Sequence, residues 1–375
     1  MPQRPSSLPP SRRLPLALLL CGALFLLQQQ PAAAAPSGTN SKTAKNSKSP
    51  KSAQQAKPAK AKATSKATPK AKAGQTRKQA LAAPVETCPP AAKPPSPEAL
   101  QAAQARASDR GLLWRLSKDG RQAYLYGSIH VGKLDWAIPG PKLAAALQDS
   151  DMLALELDPA DPAVQQQMSA GLSLRRLEPD APLRQRLDRH EAKACLPKGS
   201  LATIPHPLMQ AFTLTLVEAR REGLDPAYAQ EQVLSGMAHS VQRPVVSLET
   251  VELQLDALLP REPAEAMEAT SELLDLLEQG KARPVLKRLA EAWERSDLDT
   301  LANYEQWCEC ARNAAERAQL QRLNDARNPH LAERIDALIQ AGHRPFAAVG
   351  ALHMTGPQAL PRLLEQRGYQ LERLQ

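Results

Sequence analysis

The sequence predicts an α/β protein with a mixed sheet, built from two similar strand–Gly-x-x-His–helix–strand units around a large helical insertion. A strand pattern that runs into Gly127-x-x-His130 recurs near the C-terminus as Gly350-x-x-His353. Each copy is followed by a glycine-containing loop, a helix pattern and a further strand. The chain between the units shows mainly the periodicity of amphipathic helices. An internal duplication explains the recurrence, and chance is the alternative for so short a match.

The first unit opens with residues 112–127, whose Lys-Asp-Gly centre predicts a β-hairpin. A short helix rich in Ala and Leu is predicted over residues 142–150. An apolar strand follows over residues 152–157 and contains one carboxylate, Glu156. The crossover between the two strands is expected to be right-handed.

The insertion contains seven predicted helices and one short strand. The helices span residues 183–194, 207–222, 227–241, 250–259, 264–279, 284–295 and 304–323, and the strand spans residues 244–249. A helix over residues 330–340 is predicted to follow Asn328 as its N-cap and Pro329 at its first position. The second unit then comprises a strand that runs into a loop over residues 345–353, a helix over residues 357–367 and a strand over residues 369–374.

Residues 1–35 have the pattern of a secretory signal peptide. A polar start with Arg12 and Arg13 precedes an apolar stretch from Leu14 to Leu27 and a run of alanines. The apolar stretch is shorter than the ~20 residues that a membrane-spanning helix needs, and no other segment is long and apolar enough. We therefore expect a periplasmic or secreted protein with no transmembrane span after cleavage. An uncleaved N-terminal anchor is the alternative.

Residues 36–105 are predicted to be a disordered linker rich in Lys, Ala and Pro, ahead of a folded domain at residues 106–375. Residues 1–85 contain 15 Lys and Arg and no Asp or Glu, so the rest of the chain carries −6 of the net charge of +9. Because the basic charge lies in this tail, the composition does not indicate a nucleic-acid-binding domain. The tail is expected to bind anionic envelope polymers or lipid head groups, or to be a solvated spacer.

Four cysteines remain after removal of the signal peptide: Cys88, Cys195, Cys308 and Cys310. An oxidising compartment favours at least one disulfide. Cys308 and Cys310 are only two residues apart, so we expect one of them to pair with Cys195 or Cys88 rather than with each other.

Four candidate site residues fall at or near the C-terminal ends of predicted strands: His130, Glu156, Glu249 and His353. In open α/β sheets, ligands bind just beyond these ends. Two imidazoles with one or two carboxylates suit a divalent transition metal that keeps a position for water. The glycine three residues before each histidine is expected to let the backbone turn sharply and to admit the substrate closely.

Both carboxylates also have a structural interpretation. A glutamate amid buried strand residues needs a partner or a function, and Glu156 is expected either to serve the site or to pair with an arginine such as Arg327. Glu249 equally suits the first turn of a helix, where the helix dipole favours a negative charge. The sequence contains no nucleophile elbow, His-Glu-x-x-His helix or phosphate-binding glycine loop.

Taken together, these motifs resemble the TraB/GumN family, which is related to the Tiki metalloproteases. The resemblance covers about residues 110–375, and its motifs contain His130, Glu156, Glu249, Arg327 with Asn328, and His353. The Lys-rich tail lies outside the family pattern.

The resemblance implies a metal-dependent peptidase that uses a manganese- or cobalt-like ion, with zinc as a further candidate. It implies that His130 and His353 bind the metal, that Glu156 is a ligand or the general base, and that Arg327 stabilises an oxyanion. The residues expected to contact the substrate are Gly127, Ser128, Gly350 and Glu249. The family has an Asp in the helix before the Leu-Glu-Thr strand, and Glu231 is the candidate replacement here.

The function expected from the sequence is therefore a secreted or periplasmic metal-dependent hydrolase that acts on peptides or exposed polypeptide segments. The first alternative is a non-catalytic envelope protein that binds and sequesters a peptide, haem or metal through the same histidines. A second alternative is an interaction protein of the cell envelope whose functional part is the basic tail.

Overall fold

The computed structural model describes residues 87–308, 310–311 and 314–375. The predicted signal peptide and residues 36–86 of the predicted linker lie outside these ranges. Within the described ranges, no helix combines the length and apolar character needed to cross a membrane. Residues 87–96 form an extended segment, which we call the strap, and a helix follows it at Pro97–Ala105.

Six strands form one mixed sheet. In chain order they are β1 (Leu112–Lys118), β2 (Arg121–Ser128), β3 (Met152–Leu155), β4 (Val245–Ser247), β5 (Pro345–Gly350) and β6 (Gln370–Arg373). Their order across the sheet is β4-β3-β5-β2-β1-β6. The four strands from β4 to β2 are parallel, whereas β1 is antiparallel to both β2 and β6. The predicted α/β class with a mixed sheet is confirmed.

Fourteen α-helices occur in the described residues. They are α1 (Pro97–Ala105), α2 (Pro141–Asp149), α3 (Pro162–Leu174), α4 (Ala181–Lys193), α5 (Pro207–Glu218), α6 (Gln230–Ser240), α7 (Val251–Leu258), α8 (Pro263–Glu278), α9 (Ala282–Glu294), α10 (Leu298–Ala302), α11 (Tyr304–Trp307), α12 (Ala314–Leu323), α13 (Asn328–Gln340) and α14 (Leu360–Gln366). Helices α3 to α13 form the large helical insertion, which only β4 interrupts.

The two strands that carry the Gly-x-x-His motifs are direct neighbours. β2 and β5 run parallel, with Gly127 opposite Val349 and Ser128 opposite Gly350. Both histidines therefore follow at the same edge of the sheet. Each unit contains the predicted strand, helix and strand, but its own strands are not adjacent: β5 lies between β2 and β3, and β2 and β1 lie between β5 and β6.

The centre of the sheet is buried on both faces. Every residue of β3 is buried, as is every residue of β5 before Gly350. Such continuous apolar strands are typical of parallel sheets that are covered by helices on both sides. Because nearly every side chain of these strands contributes to the core, the charged residues that follow them are fixed firmly in position.

The disulfide pairing differs from the prediction. Cys88 of the strap bonds to Cys195, and Cys308 bonds to Cys310. The Cα atoms of Cys308 and Cys310 are 5.1 Å apart, which lies within the range that disulfides use. The expected pairing of either residue with Cys88 or Cys195 is therefore wrong. The helix predicted over residues 304–323 is accordingly two helices, since α11 ends before this disulfide and α12 begins after it.

Candidate active site

The four candidate side chains lie together at the carboxyl edge of the parallel strands. His130 comes two residues after β2, Glu156 directly after β3, Glu249 two residues after β4 and His353 three residues after β5. All four are buried. Backbone hydrogen bonds from Leu248 to Leu155 and from Glu249 to Glu156 extend the β3–β4 pairing to the site.

Arg327 lies between the two glutamates and binds both. Its Nε donates to Glu249 Oε1 at 2.9 Å, and its Nη2 donates to Glu156 Oε2 at 2.5 Å and to Glu249 Oε2. Gln254 donates to each carboxylate at 3.2 Å. The ion pair considered for Glu156 is therefore present. The placement of Glu249 in a helical turn is wrong, because Thr250 caps α7 and Glu249 precedes it.

Glu156 remains ionised in this setting. Burial favours its neutral form, but the Arg327 guanidinium outweighs burial and holds the pKa of Glu156 below its usual range. The backbone N–H of Gly350 also donates to its Oε1 at 2.7 Å. A carboxylate this strongly stabilised is a good cation ligand and a poor proton acceptor.

His353 is held in one tautomer by Asn328. The Asn328 amide nitrogen donates to the carbonyl oxygens of His353 and Gln358, so its Oδ1 faces His353 Nδ1 at 2.6 Å as an acceptor. His353 Nδ1 therefore carries the proton, and Nε2 presents a lone pair. Burial and the nearby Arg327 lower the pKa of His353 to about 3. The prediction that Asn328 caps α13 is wrong, since it is the first helical residue and its side chain turns to His353.

His130 faces the carboxylate of Glu231, which is the sixth acidic or basic group of the site after the four strand-end residues and Arg327. Glu231, in the first turn of α6, places its Oε2 3.1 Å from His130 Nδ1, although the two atoms are poorly aligned for a hydrogen bond. Ser128 donates to the other oxygen of Glu231. Burial alone would lower the pKa of His130, but Glu231 and Glu156 outweigh it and raise the pKa above its usual value.

The start of α6 is tied directly to the first motif. Gln230 donates its backbone N–H to Ile129 O at 2.9 Å, and Asp225 exchanges two backbone hydrogen bonds with Gly132. These contacts place Glu231 beside His130. The sequence motifs identify Glu231 only as the candidate replacement for a family Asp, and no local pattern predicts its contact with His130.

The part of the chain that contains the sheet and the candidate site matches a known protein family. The model of the TraB/PrgY/gumN family matches residues 112–373. The chain belongs to this family. The resemblance drawn from the sequence motifs is thereby confirmed. No curated protein and no solved structure matches the chain.

In this TraB/PrgY/gumN chain, the first motif glycine permits close packing. Neither Gly127 nor Gly350 has a positive φ, although the chain turns directly after Gly350, where β5 ends and a 3-10 helix begins at Ala351. A Cβ on Gly127 would lie 3.1 Å from Ala351 Cα and 3.3 Å from Leu112 Cβ. The Gly127 carbonyl accepts a hydrogen bond from Trp293 Nε1 at 2.7 Å. Gly127 therefore permits close packing of the strand.

A narrow pocket opens between the two motifs of the TraB/PrgY/gumN chain. It has room for about one water molecule, and its walls include both motif histidines together with Ser128 and Gly350. Of the four predicted substrate contacts, these last two line the pocket. Glu249 instead binds Arg327, and Gly127 packs against its neighbours.

The donor atoms at this pocket are of the kinds that bind divalent metals. The Nε2 atom of His130 is buried without a hydrogen-bond partner. His353 Nε2 faces Arg327 Nη1 at 3.4 Å, so the guanidinium would have to shift for this nitrogen to bind a metal. Each ring has its Nδ1 beside an oxygen, as metal-binding histidines usually do. In the described part of the chain, however, no three His, Cys, Asp or Glu side chains are already grouped as a metal site.

The charge of the site also favours a cation. Glu156 and Glu249 pair with the buried guanidinium of Arg327, and a third buried carboxylate, that of Glu231, lies beside His130. Two formal negative charges remain when both imidazoles are neutral. Buried charge without compensation is costly, so a divalent ion would stabilise this arrangement.

Proposed function

We propose that this protein is a metal-dependent hydrolase that cleaves peptides or exposed polypeptide segments, outside the cytoplasm. The observation that carries the proposal is the pair of buried imidazoles, each with Nδ1 beside an oxygen, at one pocket near the ionised Glu156. The predicted signal peptide supports the location. The family match covers the site but names no reaction.

The candidate metal ligands are His130 Nε2, His353 Nε2 and the Glu156 carboxylate. A bound Mn²⁺, Co²⁺ or Zn²⁺ would polarise the substrate carbonyl and lower the pKa of water. Asn328 orients His353 through its ring Nδ1. Glu231 Oε2 lies 3.1 Å from His130 Nδ1 without a hydrogen bond to it. Arg327 keeps Glu156 ionised and in place.

Arg327 has a different role from the one implied by the family resemblance. Its Nε and Nη2 bind the two glutamates, and its Nη1 donates to Leu323 O at 3.0 Å and lies 3.4 Å from His353 Nε2. These contacts occupy every nitrogen of the guanidinium. We therefore assign Arg327 to positioning of the carboxylates rather than to binding of an oxyanion.

Glu231 is the better candidate for the proton acceptor. Both oxygens of Glu156 already accept hydrogen bonds, whereas Glu231 Oε2 has no hydrogen-bond partner. We assign to Glu231 the proton released by the attacking water, and its return to the leaving amine.

The proposal is tested by metal binding first and by cleavage second. Melting temperatures of the full chain are measured with and without Mn²⁺, Co²⁺ or Zn²⁺, for the wild type, His130→Ala, His353→Ala and the exposed control His343→Ala. We expect an ion to raise the melting temperature of the wild type and the control only. Equal increases in all four proteins would contradict the assignment of the site.

Cleavage of a peptide library by the same four proteins then distinguishes an enzyme from a binding protein. We expect metal-dependent cleavage by the wild type and His343→Ala, with loss of cleavage in the two site variants. Metal binding at the histidines without cleavage of any library member would leave a sequestering protein as the function.

A further inference from the structure

The pocket beside the histidines has one chemically distinct wall. Leu289 of α9, Leu301 of α10 and Leu352 of the second motif are buried there, together with Trp293. His130 and His353 line the same pocket. A group that enters this pocket therefore contacts an apolar wall while its neighbouring atoms lie at the proposed catalytic residues.

We infer that this pocket is a specificity subsite that accepts a small apolar side chain, of the size of alanine, next to the bond that is cleaved. The inference rests on the proposed function and specifies its substrate class. Asn324 and Ser128 also line the pocket, but most of its lining is apolar, so a charged side chain would lose its hydration there without gaining a counter-charge.

The size limit comes from the free space and from the rigidity of the wall. The space left inside the pocket holds about one water molecule, which is close to the size of a methyl group. Trp293 is fixed by its hydrogen bond to Gly127 O and by ring contacts with Trp136 and Tyr126, at centroid distances of 5.0 and 6.4 Å. The pocket cannot widen on this side without breaking those contacts.

Leu301 and Leu289 then set the depth of the pocket. Leu301 lies on α10 and is completely buried. Leu289 lies on the adjacent helix α9 and is nearly completely buried. A leucine side chain on the substrate would collide with them, whereas an alanine methyl group would not. One misfitting methylene changes selectivity by about 10- to 200-fold in apolar enzyme pockets.

The test compares two probes, N-acetyl-alanine methylamide and N-acetyl-leucine methylamide, for binding to the full chain by calorimetry. Peptides with Ala or Leu at each position beside the cleaved bond are assayed in parallel. We expect the wild type to favour Ala by about 10-fold or more. Leu301→Ala and Leu289→Ala should remove or reverse this preference.

Leu331→Ala is the matched control, because Leu331 is equally buried but lies on α13 outside the pocket. Melting curves verify that each variant is folded, and the two pocket variants provide independent tests. An unchanged preference in both, a wild type without preference, or a shift of preference in Leu331→Ala overturns the inference. A shift in binding preference without cleavage supports the subsite and contradicts only the hydrolase.

Discussion

Arg327 binds two carboxylates that follow different strands, and its removal would leave both of them buried without a counter-charge. We expect Arg327→Ala to lower the free energy of unfolding by about 3–5 kcal/mol, since breaking a buried ion pair on one side is far costlier than losing an exposed one. Urea denaturation measures the change.

Arg175→Ala provides the comparison for that variant. Arg175 pairs with Asp256 at 2.6 Å, but both side chains are about one third exposed. Its loss is expected to cost less than about 1 kcal/mol. Similar losses in the two variants would show that the Arg327 pairs are not stabilising in the way described.

Glu231→Gln separates proton transfer from orientation of His130. If Glu231 accepts the proton, kcat falls about 100-fold or more while the affinity for the metal is nearly unchanged. If Glu231 only orients the ring, the metal affinity falls about 10- to 100-fold and kcat at saturating metal is retained. Titration with metal and steady-state kinetics measure the two quantities, with the exposed Glu178→Gln as the control.

At the scale of elements, the packing of β2 depends on Gly127, which has no side chain and lies near the end of the strand. We expect Gly127→Ala to destabilise the protein by about 1–3 kcal/mol, because backbone atoms of Ala351 and the Leu112 Cβ have little freedom to move away. Gly236→Ala, within α6, has open space around it and should instead stabilise by about 0.5–1 kcal/mol. Chemical denaturation of both variants should therefore give opposite signs.

The N-terminus of α5 predicts a dependence of stability on pH. His206 is buried, and its Nδ1 accepts a hydrogen bond from Leu208 N at 3.3 Å. Burial lowers the pKa of His206 to about 4. The unfolded chain therefore binds this proton at higher pH than the folded chain does, and stability is lost as the pH falls from about 6.5 through 4.

His206→Asn removes that titration while it keeps a favourable N-cap. We expect the wild type to lose about 3 kcal/mol more unfolding free energy than this variant between pH 7 and pH 3.5, since one pKa unit corresponds to about 1.4 kcal/mol. Denaturation across this range measures it. The exposed His343→Asn should follow the wild-type curve, and parallel curves for all three proteins would contradict the assignment.

Strand ends were predictable from the sequence because they depend on local patterns. The ends of apolar runs identified Glu156 and Glu249, and the Gly-x-x-His motifs at such ends identified His130 and His353. The pairing of His130 with Glu231 depends instead on a contact between residues about a hundred positions apart, which periodicity does not contain. The position of β5 between β2 and β3 is likewise a tertiary property.

Asn328 shows how tertiary contacts override a local signal. An asparagine before a proline is a strong N-cap pattern, yet here the amide contributes more by bonding His353 and Gln358 across the site. The disulfide between Cys308 and Cys310 similarly interrupts a helix whose apolar spacing is continuous.

For the whole molecule, the strap is joined to the body by one long-range covalent bond and several hydrogen bonds. The bond between Cys88 and Cys195 spans 107 residues. Ala92 N donates to Asp225 Oδ2 at 2.8 Å, and Arg221 donates to Thr87 O at 2.9 Å. Asp225 in turn pairs with Gly132, two residues after the first motif histidine.

We expect Cys88→Ser to lower the free energy of unfolding by about 2–5 kcal/mol, because the lost cross-link closes a long loop of the unfolded chain. Urea denaturation under oxidising conditions measures it. The Cys308→Ser/Cys310→Ser variant loses a cross-link between residues only two apart, so its entropic effect should be much smaller. Equal losses would contradict the loop-length explanation.

The same bond decides where mechanical tension on the N-terminal tail would enter the body. A pull transmitted along the chain reaches Cys88 and passes through the disulfide to Cys195, just beyond α4. The disulfide carries the force directly to the body, so the strap after Cys88 and helix α1 are not pulled off it. A molecule held by its tail in a flowing medium would keep the contact between Ala92 and Asp225, and with it the support of His130, for as long as the disulfide stays oxidised.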